Sequence, residues 1–242
     1  MSCGNGVCPF SEFRAEGGPL ADPDIACLVD GAVQADAYEP GQTLFLQGQP
    51  STSLYSLTAG MVKICSHSAD GHEQIVGLSS PGKMLLGLQS LNENRYAYTA
   101  IASTTVRACK INHRALLDLV RDEPEVAMRL IASVNAQLAH SRALMEVMGH
   151  SSAAAKIASF ILLMTPGTER SNCGFPMPFS RSEMAGILGL SEETVCRLMA
   201  NMKRSGTIYA PRGKIEIRDW NQLHAIAAGD HNAHRAADSR LH

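Results

Sequence analysis

The chain has no apolar run approaching the roughly 18 residues that a membrane-spanning helix requires. It opens without a basic stretch leading into an apolar core, and it has no excess of positive charge, its formal net charge being -2 over 242 residues. These absences predict a cytoplasmic protein that does not span a membrane, and one whose affinity for nucleic acid, if any, must be concentrated locally. Its seven cysteines are an odd number without the spacing of a disulfide scaffold, which leaves metal binding, redox chemistry or buried packing as their roles. No His-x-His pair falls in the strand-like segments, and no nucleophile stands with a base in a catalytic pattern, so an enzyme is not expected.

What is present centres on Phe179 to Met202, FSRSEMAGILGLSEETVCRLMANM. Ser180 can cap a helix and Glu183, three residues on, completes a capping box, with Phe179 placed to staple onto Met184. Met184, Ile187 and Leu188 share one face, Gly189 supplies a turn, and Leu190 with Ser191 repeats the staple and cap for a second helix. This is a helix-turn-helix pattern. In the second helix Val195, Leu198, Met199 and Met202 form one stripe, which turns Glu193, Cys196, Arg197 and Asn201 outward. Arg donates two hydrogen bonds to guanine and Glu accepts one from cytosine in the major groove, and Glu193 and Arg197 stand one turn apart. An i,i+4 ion pair on a solvated helix is the other reading of these two residues. Lys203 and Arg204 follow, then two strand-like runs, Thr207 to Ala210 and Lys214 to Ile217, joined by Pro211, Arg212 and Gly213. That composite predicts a basic wing and a double-stranded DNA interface of Ser180, Ser191, Glu193, Thr194, Cys196, Arg197, Asn201, Lys203, Arg204 and Arg212.

Upstream, residues 1–20 read as a Gly- and Cys-containing arm, and Asp22-Pro23 opens a short helix with Ile25, Leu28 and Val29 inward. From Ala35 to Ile111, short β-type runs (Thr43 to Leu46, Leu54 to Leu57, Met61 to Ser66, Gln74 to Leu78, Tyr96 to Ala102 and Thr105 to Ile111) punctuated by Gly41, Gly48, Gly60, Gly71 and Gly82 predict an antiparallel β-barrel or jelly roll in a domain over 21–111. Helical texture takes over across 112–150. There Ala127, Ile131, Val134, Leu138, Ser141, Met145 and Met148 recur at alternating four- and three-residue steps, a coiled-coil seam. That seam either packs on its own barrel or pairs with a second copy, and a length of about 25 residues favours a homodimer. The DNA-binding segment then covers 151–228, and the polar, aperiodic residues 229–242 are expected to be disordered. The fold class is α+β.

Barrel, long helix and winged helix-turn-helix, in that order, resemble the CRP/FNR family of bacterial transcription regulators. The resemblance rests on EPGQTLFLQGQPSTSLYSLTAGMVKI (Glu39 to Ile64), SSPGKMLLGL (Ser79 to Leu88), the long helix and LGLSEETVCRLMANMKRSG (Leu188 to Gly206). It implies a dimer on palindromic DNA with half-sites about one helical turn apart, and RNA polymerase as a partner. Glu193, Thr194, Val195, Cys196, Arg197 is similar to the FNR branch's reading pattern and implies TTGAT-like half-sites, with Cys196 where Ser is usual, a poorer hydrogen-bonding group. The family's cyclic-nucleotide members hold their ligand with Gly-Glu and Arg-Ser pairs. Here those stretches are Leu86-Gly87 and Arg95-Tyr96, so no cyclic nucleotide is expected.

The resemblance also bears on the cysteines. FNR holds an oxygen-labile [4Fe-4S] cluster through three closely spaced N-terminal cysteines and one at the end of the barrel. Cys109 lies at that last place and Cys3 and Cys8 in the arm, with Cys27 as the candidate for the missing ligand despite its wider spacing. Thiol oxidation, nitric oxide or haem, or a small ligand in the barrel are the other means of control, and ordinary packing of Cys27, Cys65 and Cys109 is the fourth reading of those residues. Cys65, Cys173 and Cys196 are assigned to packing or the DNA face, and His67 and His72 border a hairpin turn. A barrel that binds a ligand without touching DNA is a different class of function.

Overall fold

The computed structural model describes residues 33–68, 70–81, 85–91, 94–122, 124–165, 174–211 and 213–229. The arm, the helix expected after Asp22 and nearly all of the expected disordered tail lie outside these residues, as do Cys3, Cys8, Cys27, Cys173 and Arg212. The chain divides into two compact units, with the division between Ala139 and His140. Among the described residues no helix is long and apolar enough to cross a membrane.

The first unit holds eight strands in two four-stranded antiparallel sheets. One sheet has the order β1 (Val33–Tyr38), β8 (Val106–Asn112), β3 (Ser53–Ala59), β6 (Leu85–Leu86). The other runs β2 (Thr43–Phe45), β7 (Thr99–Ala102), β4 (Val62–His67), β5 (Glu73–Ser79). Both sheets supply one core, with Phe45 from β2, Tyr55 and Leu57 from β3, Val62 and Ile64 from β4, Ala100 from β7, and Val106 and Ala108 from β8. Alternation then sends the neighbours the other way. Leu54 of β3 and Cys109 and Ile111 of β8 form a second cluster with Leu116 and Val126, which belong to the helices that follow. Two strands were not expected: β1, which pairs with β8 from Val33↔Ile111 to Tyr38↔Val106, and the two-residue β6.

Helix α1 (His113–Asp122) starts beside Asn112, whose side chain accepts from the Arg114 amide at 2.8 Å. Helix α2 (Pro124–Gly149) is 26 residues long. Pro124 is tolerated at its first position because that amide needs no intrahelical partner. On α2, Val126, Leu144 and Val147 are buried, whereas Ile131, Val134, Leu138, Met145 and Met148 are 53%, 46%, 45%, 62% and 40% exposed.

Two glycines of the first unit stand in the left-handed region with different surroundings. Gly60 has φ +86°, and a Cβ there would lie 2.3 Å from the Thr105 carbonyl oxygen and 2.8 Å from Val106 Cα. Gly48 has φ +80° and nothing within 4 Å. Gly48→Ala is therefore expected to cost only the conformational term, about 1 to 2 kcal/mol. Gly60→Ala is expected to cost clearly more, because backbone must move to make room. Chemical denaturation followed by circular dichroism measures both, and equal losses would show that the Gly60 approach relaxes freely.

Candidate nucleic-acid interface

The second unit is built around α3 (Ala153–Met164), whose Ala154, Ala155, Ile157, Ala158, Phe160 and Ile161 are all buried. Ser152 caps it, accepting from the Ala155 amide. Against this apolar helix sits α5 (Glu192–Arg204), and α4 (Arg181–Leu188) packs on α5. The capping box at α4 forms as expected: Ser180 Oγ accepts from the Glu183 amide at 3.0 Å, and the Ser180 amide donates to Glu183 Oε2 at 2.9 Å. A cap of this kind contributes about 1 kcal/mol. Gly189 ends α4 in the left-handed region, at φ 62°. Ser191 then caps α5, its Oγ accepting from the Thr194 amide at 3.2 Å and lying 2.8 Å from Thr194 Oγ1. Phe179, expected to staple onto Met184, is recorded against Phe160 of α3, with ring centroids 6.1 Å apart.

The inward stripes of both helices are buried: Met184, Ala185, Ile187 and Leu188 on α4, and Val195, Leu198, Met199 and Met202 on α5. What remains outward on α5 is Glu193, Cys196, Arg197, Lys203 and Arg204, all exposed, with Thr194 and Asn201 half-buried. Among the described residues neither the Glu193 nor the Arg197 side chain has a partner, so the two do not form the ion pair that their spacing allows. Arg204 instead donates to Asn201 Oδ1, which ties Asn201 to the end of the helix. Glu192 and Glu193 occupy the first turn and Lys203 and Arg204 the last. That placement favours the helix dipole and leaves the cations together at one end.

The wing is smaller than the sequence suggests. It pairs β10 (Ile208–Tyr209) with β11 (Lys214–Ile217), and β11 also pairs with β9 (Phe175–Pro176), a strand with no sequence signal of its own. Arg218 lies 4.5 Å over the Tyr209 ring and 3.4 Å from Glu216. A last helix, α6 (Trp220–Ala227), is capped by Asp219. Three residues that sequence reasoning passed over hold this unit together. Lys156 Nζ donates to the Leu188 carbonyl at the end of α4 at 3.4 Å, and the Thr207 hydroxyl donates to Gln222 Oε1 at 2.7 Å. Nothing local marks them, because each meets a partner from another element.

The other candidates fall in the first unit and on α2. Cys109 is 3% exposed and Cys65 0%; Cys109 sits in the cluster with Leu54, Ile111, Leu116 and Val126. A thiol is the ligand type that iron-sulfur groups take, and of the four proposed ligands Cys109 is the described one. Among the described residues no three His, Cys, Asp or Glu side chains gather as a metal-holding group. His67 has Nδ1 3.4 Å from Thr99 Oγ1 and Nε2 3.4 Å from Glu73 Oε2. In the barrel, the Tyr96 ring stacks on Phe45 at 4.1 Å and its hydroxyl donates to the Ser53 carbonyl at 2.7 Å. Gly87 approaches the same ring so closely that a Cβ would be 3.1 Å from it, and Arg95 donates to the Gly48 carbonyl at 2.6 Å. Burial, then the nearby Asp36 carboxylate, push the Tyr38 phenol up to about 12. Of the expected seam, Ala127 is half-buried and Ile131, Val134, Leu138, Ser141, Met145 and Met148 are exposed.

Two family models match: a cyclic nucleotide-binding domain over residues 35–123 and a Crp-like helix-turn-helix domain over residues 155–226. The chain is 27% identical over 209 residues to the transcriptional activator protein FnrA of Stutzerimonas stutzeri, covering 85% of each. It is also 27% identical to the fumarate and nitrate reduction regulatory protein of Salmonella typhi, covering 80% of this chain and 78% of that one. The solved structure of FixK2 from Bradyrhizobium japonicum shares the fold, with a TM-score of 0.71, 22% identity, and coverage of 80% of this chain and 96% of that chain.

Proposed function

Because the chain belongs to the CRP/FNR family of transcription regulators, we propose that it works as a cytoplasmic homodimer that reads FNR-like palindromic DNA through α5, meets RNA polymerase there, and responds to oxygen or redox state. The observation that carries the DNA reading is the pair Glu193 and Arg197: unpartnered, exposed, one turn apart, on a helix whose other face is buried and whose start is capped. Side chains so placed can reach neighbouring base pairs, and Lys203, Arg204, Arg212 and Lys214 supply phosphate contacts. Ser180 and Ser191, at the starts of α4 and α5, lie where backbone amides favour an anion.

The exposed stripe of α2 supports the pairing of two copies. That apolar stripe has no cover from its own chain among the described residues, and a second copy of the same stripe is the self-complementary cover that a two-fold axis provides. Two paired copies bring two α5 helices, matching a site with two half-sites.

For sensing, Cys3, Cys8, Cys27 and Cys109 would hold a [4Fe-4S] cluster, a group whose lability supplies the response to oxygen. The names of the relatives, FnrA and a regulator of fumarate and nitrate reduction, support a respiratory signal. Cys109 packs with Leu116 of α1 and Val126 of α2, so what Cys109 holds bears directly on the base of the dimer helix. A bias of a few kcal/mol between paired and unpaired states suffices to shift the population.

Arg197→Ala is expected to lose about 1 to 3 kcal/mol of specific binding and to relax preference at one base pair. Lys203→Ala should weaken all sequences alike and flatten the salt dependence. Gel-shift titration on matched and base-swapped duplexes tests this, and an unchanged preference in Arg197→Ala would remove the reading face.

Leu138→Glu duplicates a charge at the seam, where each copy meets the other out of water. It should give a folded monomer with little DNA affinity, and sedimentation showing an intact dimer would refute the pairing.

Cys109→Ser, in protein made and kept without oxygen, is expected to lose visible absorbance, iron and acid-labile sulfide together with the oxygen-dependent change in DNA binding. Cys65→Ser and Cys173→Ser should keep all of these. If the wild-type protein contains no iron, the cluster falls and oxidation of Cys3 and Cys8 replaces it.

A further inference from the structure

Thr207 is a polar residue with 0% exposure, and its two oxygens tie together the end of α5, the base of the wing and the start of α6. Its hydroxyl donates to Gln222 Oε1 in the first turn of α6 at 2.7 Å. With that proton committed, Ser205 Oγ, 2.8 Å away, is left as donor, its one proton shared between Thr207 Oγ1 and the Met202 carbonyl at 3.1 Å, and Ser205 is the C-cap of α5. The Thr207 carbonyl accepts from the Arg218 amide at 3.0 Å and the Asp219 amide at 3.1 Å. Thr207 immediately precedes β10 and Arg218 immediately follows β11, so these bonds close the base of the wing. Asp219 in turn caps α6, accepting from the Gln222 amide at 2.9 Å.

A buried hydroxyl without partners is costly, and this one has them only when the end of α5, the base of the wing and the start of α6 are in register. We propose that Thr207 is a positioning residue, which holds the wing at a fixed setting against the end of the reading helix so that wing cations and α5 meet one duplex together. The inference rests on the reading of α5 and the wing as a DNA interface, and deepens it. Gly206, at φ 77°, lets the chain leave α5 sharply, but it has no side chain to hold the new direction. Thr207 supplies that hold.

The test is a double-mutant cycle on the full chain, read by fluorescence anisotropy with an FNR-like palindromic duplex at several salt concentrations. Lys214→Ala in the wild type should reduce the slope of log affinity against log salt by about 1 for each phosphate contact removed. Thr207→Val, which keeps shape but deletes the hydroxyl, should show that reduced slope already, and adding Lys214→Ala to it should change nothing further. Discrimination at the base pair read by Arg197 should persist, and Thr207→Ser should behave as wild type. Where circular dichroism shows Thr207→Val unfolded at the assay temperature, Gln222→Leu, which leaves the Ser205 bond in place, carries the same cycle. If Lys214→Ala costs the hydroxyl-less variant as much as the wild type, or if base discrimination is lost along with the slope, the positioning role is overturned. If Lys214→Ala and Arg197→Ala are both silent in the wild type, the DNA interface itself fails and this inference with it.

Discussion

A helix of 26 residues in which Val126, Leu144 and Val147 are buried, while Ile131, Val134, Leu138, Met145 and Met148 are 40 to 62% exposed, has two apolar faces and, among the described residues, intrachain cover for one. Water does not tolerate such a stripe without consequence. Burying a side chain of this size contributes roughly 1.5 to 3 kcal/mol, so five of them together are of the order needed to offset the roughly 4 to 15 kcal/mol that association costs. The alternating four- and three-residue steps matter as much as the area, because they keep the stripe straight along a left-handed pair of helices. The need to cover α2 is thus the physical ground for the proposed pairing, and such pairing would call for a two-fold-symmetric DNA site.

On α5 the same logic works in the opposite direction. Val195, Leu198, Met199 and Met202 are buried, and that burial fixes the rotation of the helix. Glu193, Cys196 and Arg197 then face out because the stripe has used the other positions. The charges fit both roles. Glu192 and Glu193 at the first turn and Lys203 and Arg204 at the last stabilise the helix through its dipole, and the same arrangement leaves an acceptor on the exposed face of α5 while gathering cations at the end where the wing begins. The Thr207 junction adds the long-range part, since a helix dipole and a cap act within a turn and cannot orient a hairpin.

The parts of this fold that were legible in the sequence are those whose cause is local. The capping box of Ser180 and Glu183, the left-handed Gly189 and the Ser191 cap follow from residues three apart, and the structure forms each of them. The stripe on α2 follows from its period. What escaped reading has its cause elsewhere in the chain. Strand β1, VQADAY, alternates apolar and polar residues, but two of its apolar members are alanines with little strand preference, and it pairs along the edge of β8. Strand β9 is two residues paired to the wing, and α6 is a short helix begun by an Asp219 cap that reads as part of a loop. Lys156, Thr207 and Gln222 are ordinary polar residues until a distant element meets them. The exposure of Arg197 was legible, whereas its lack of a partner among the described residues was not, because spacing allows the Glu193 pair that the structure does not make.

The sheet β1-β8-β3-β6 separates two cores with different consequences for control. On its inner side Tyr96 stacks on Phe45 at 4.1 Å, and the Tyr96 and Tyr55 hydroxyls donate to the Ser53 and Leu44 carbonyls at 2.7 and 3.3 Å. A molecule taking that space has to break satisfied, close-packed contacts before making any of its own. On the outer side, one residue along in the same strands, Leu54 and Cys109 meet Leu116 of α1 and Val126 of α2. Packed side chains transmit displacement to what they touch. The inner cluster draws on the strands and loops of the barrel, whereas the outer one includes Val126 in the first turn of α2. A signal that has to change α2 therefore has its short route through the face that Cys109 occupies, and a redox-active group tied to that thiol would act at the junction between barrel and α2.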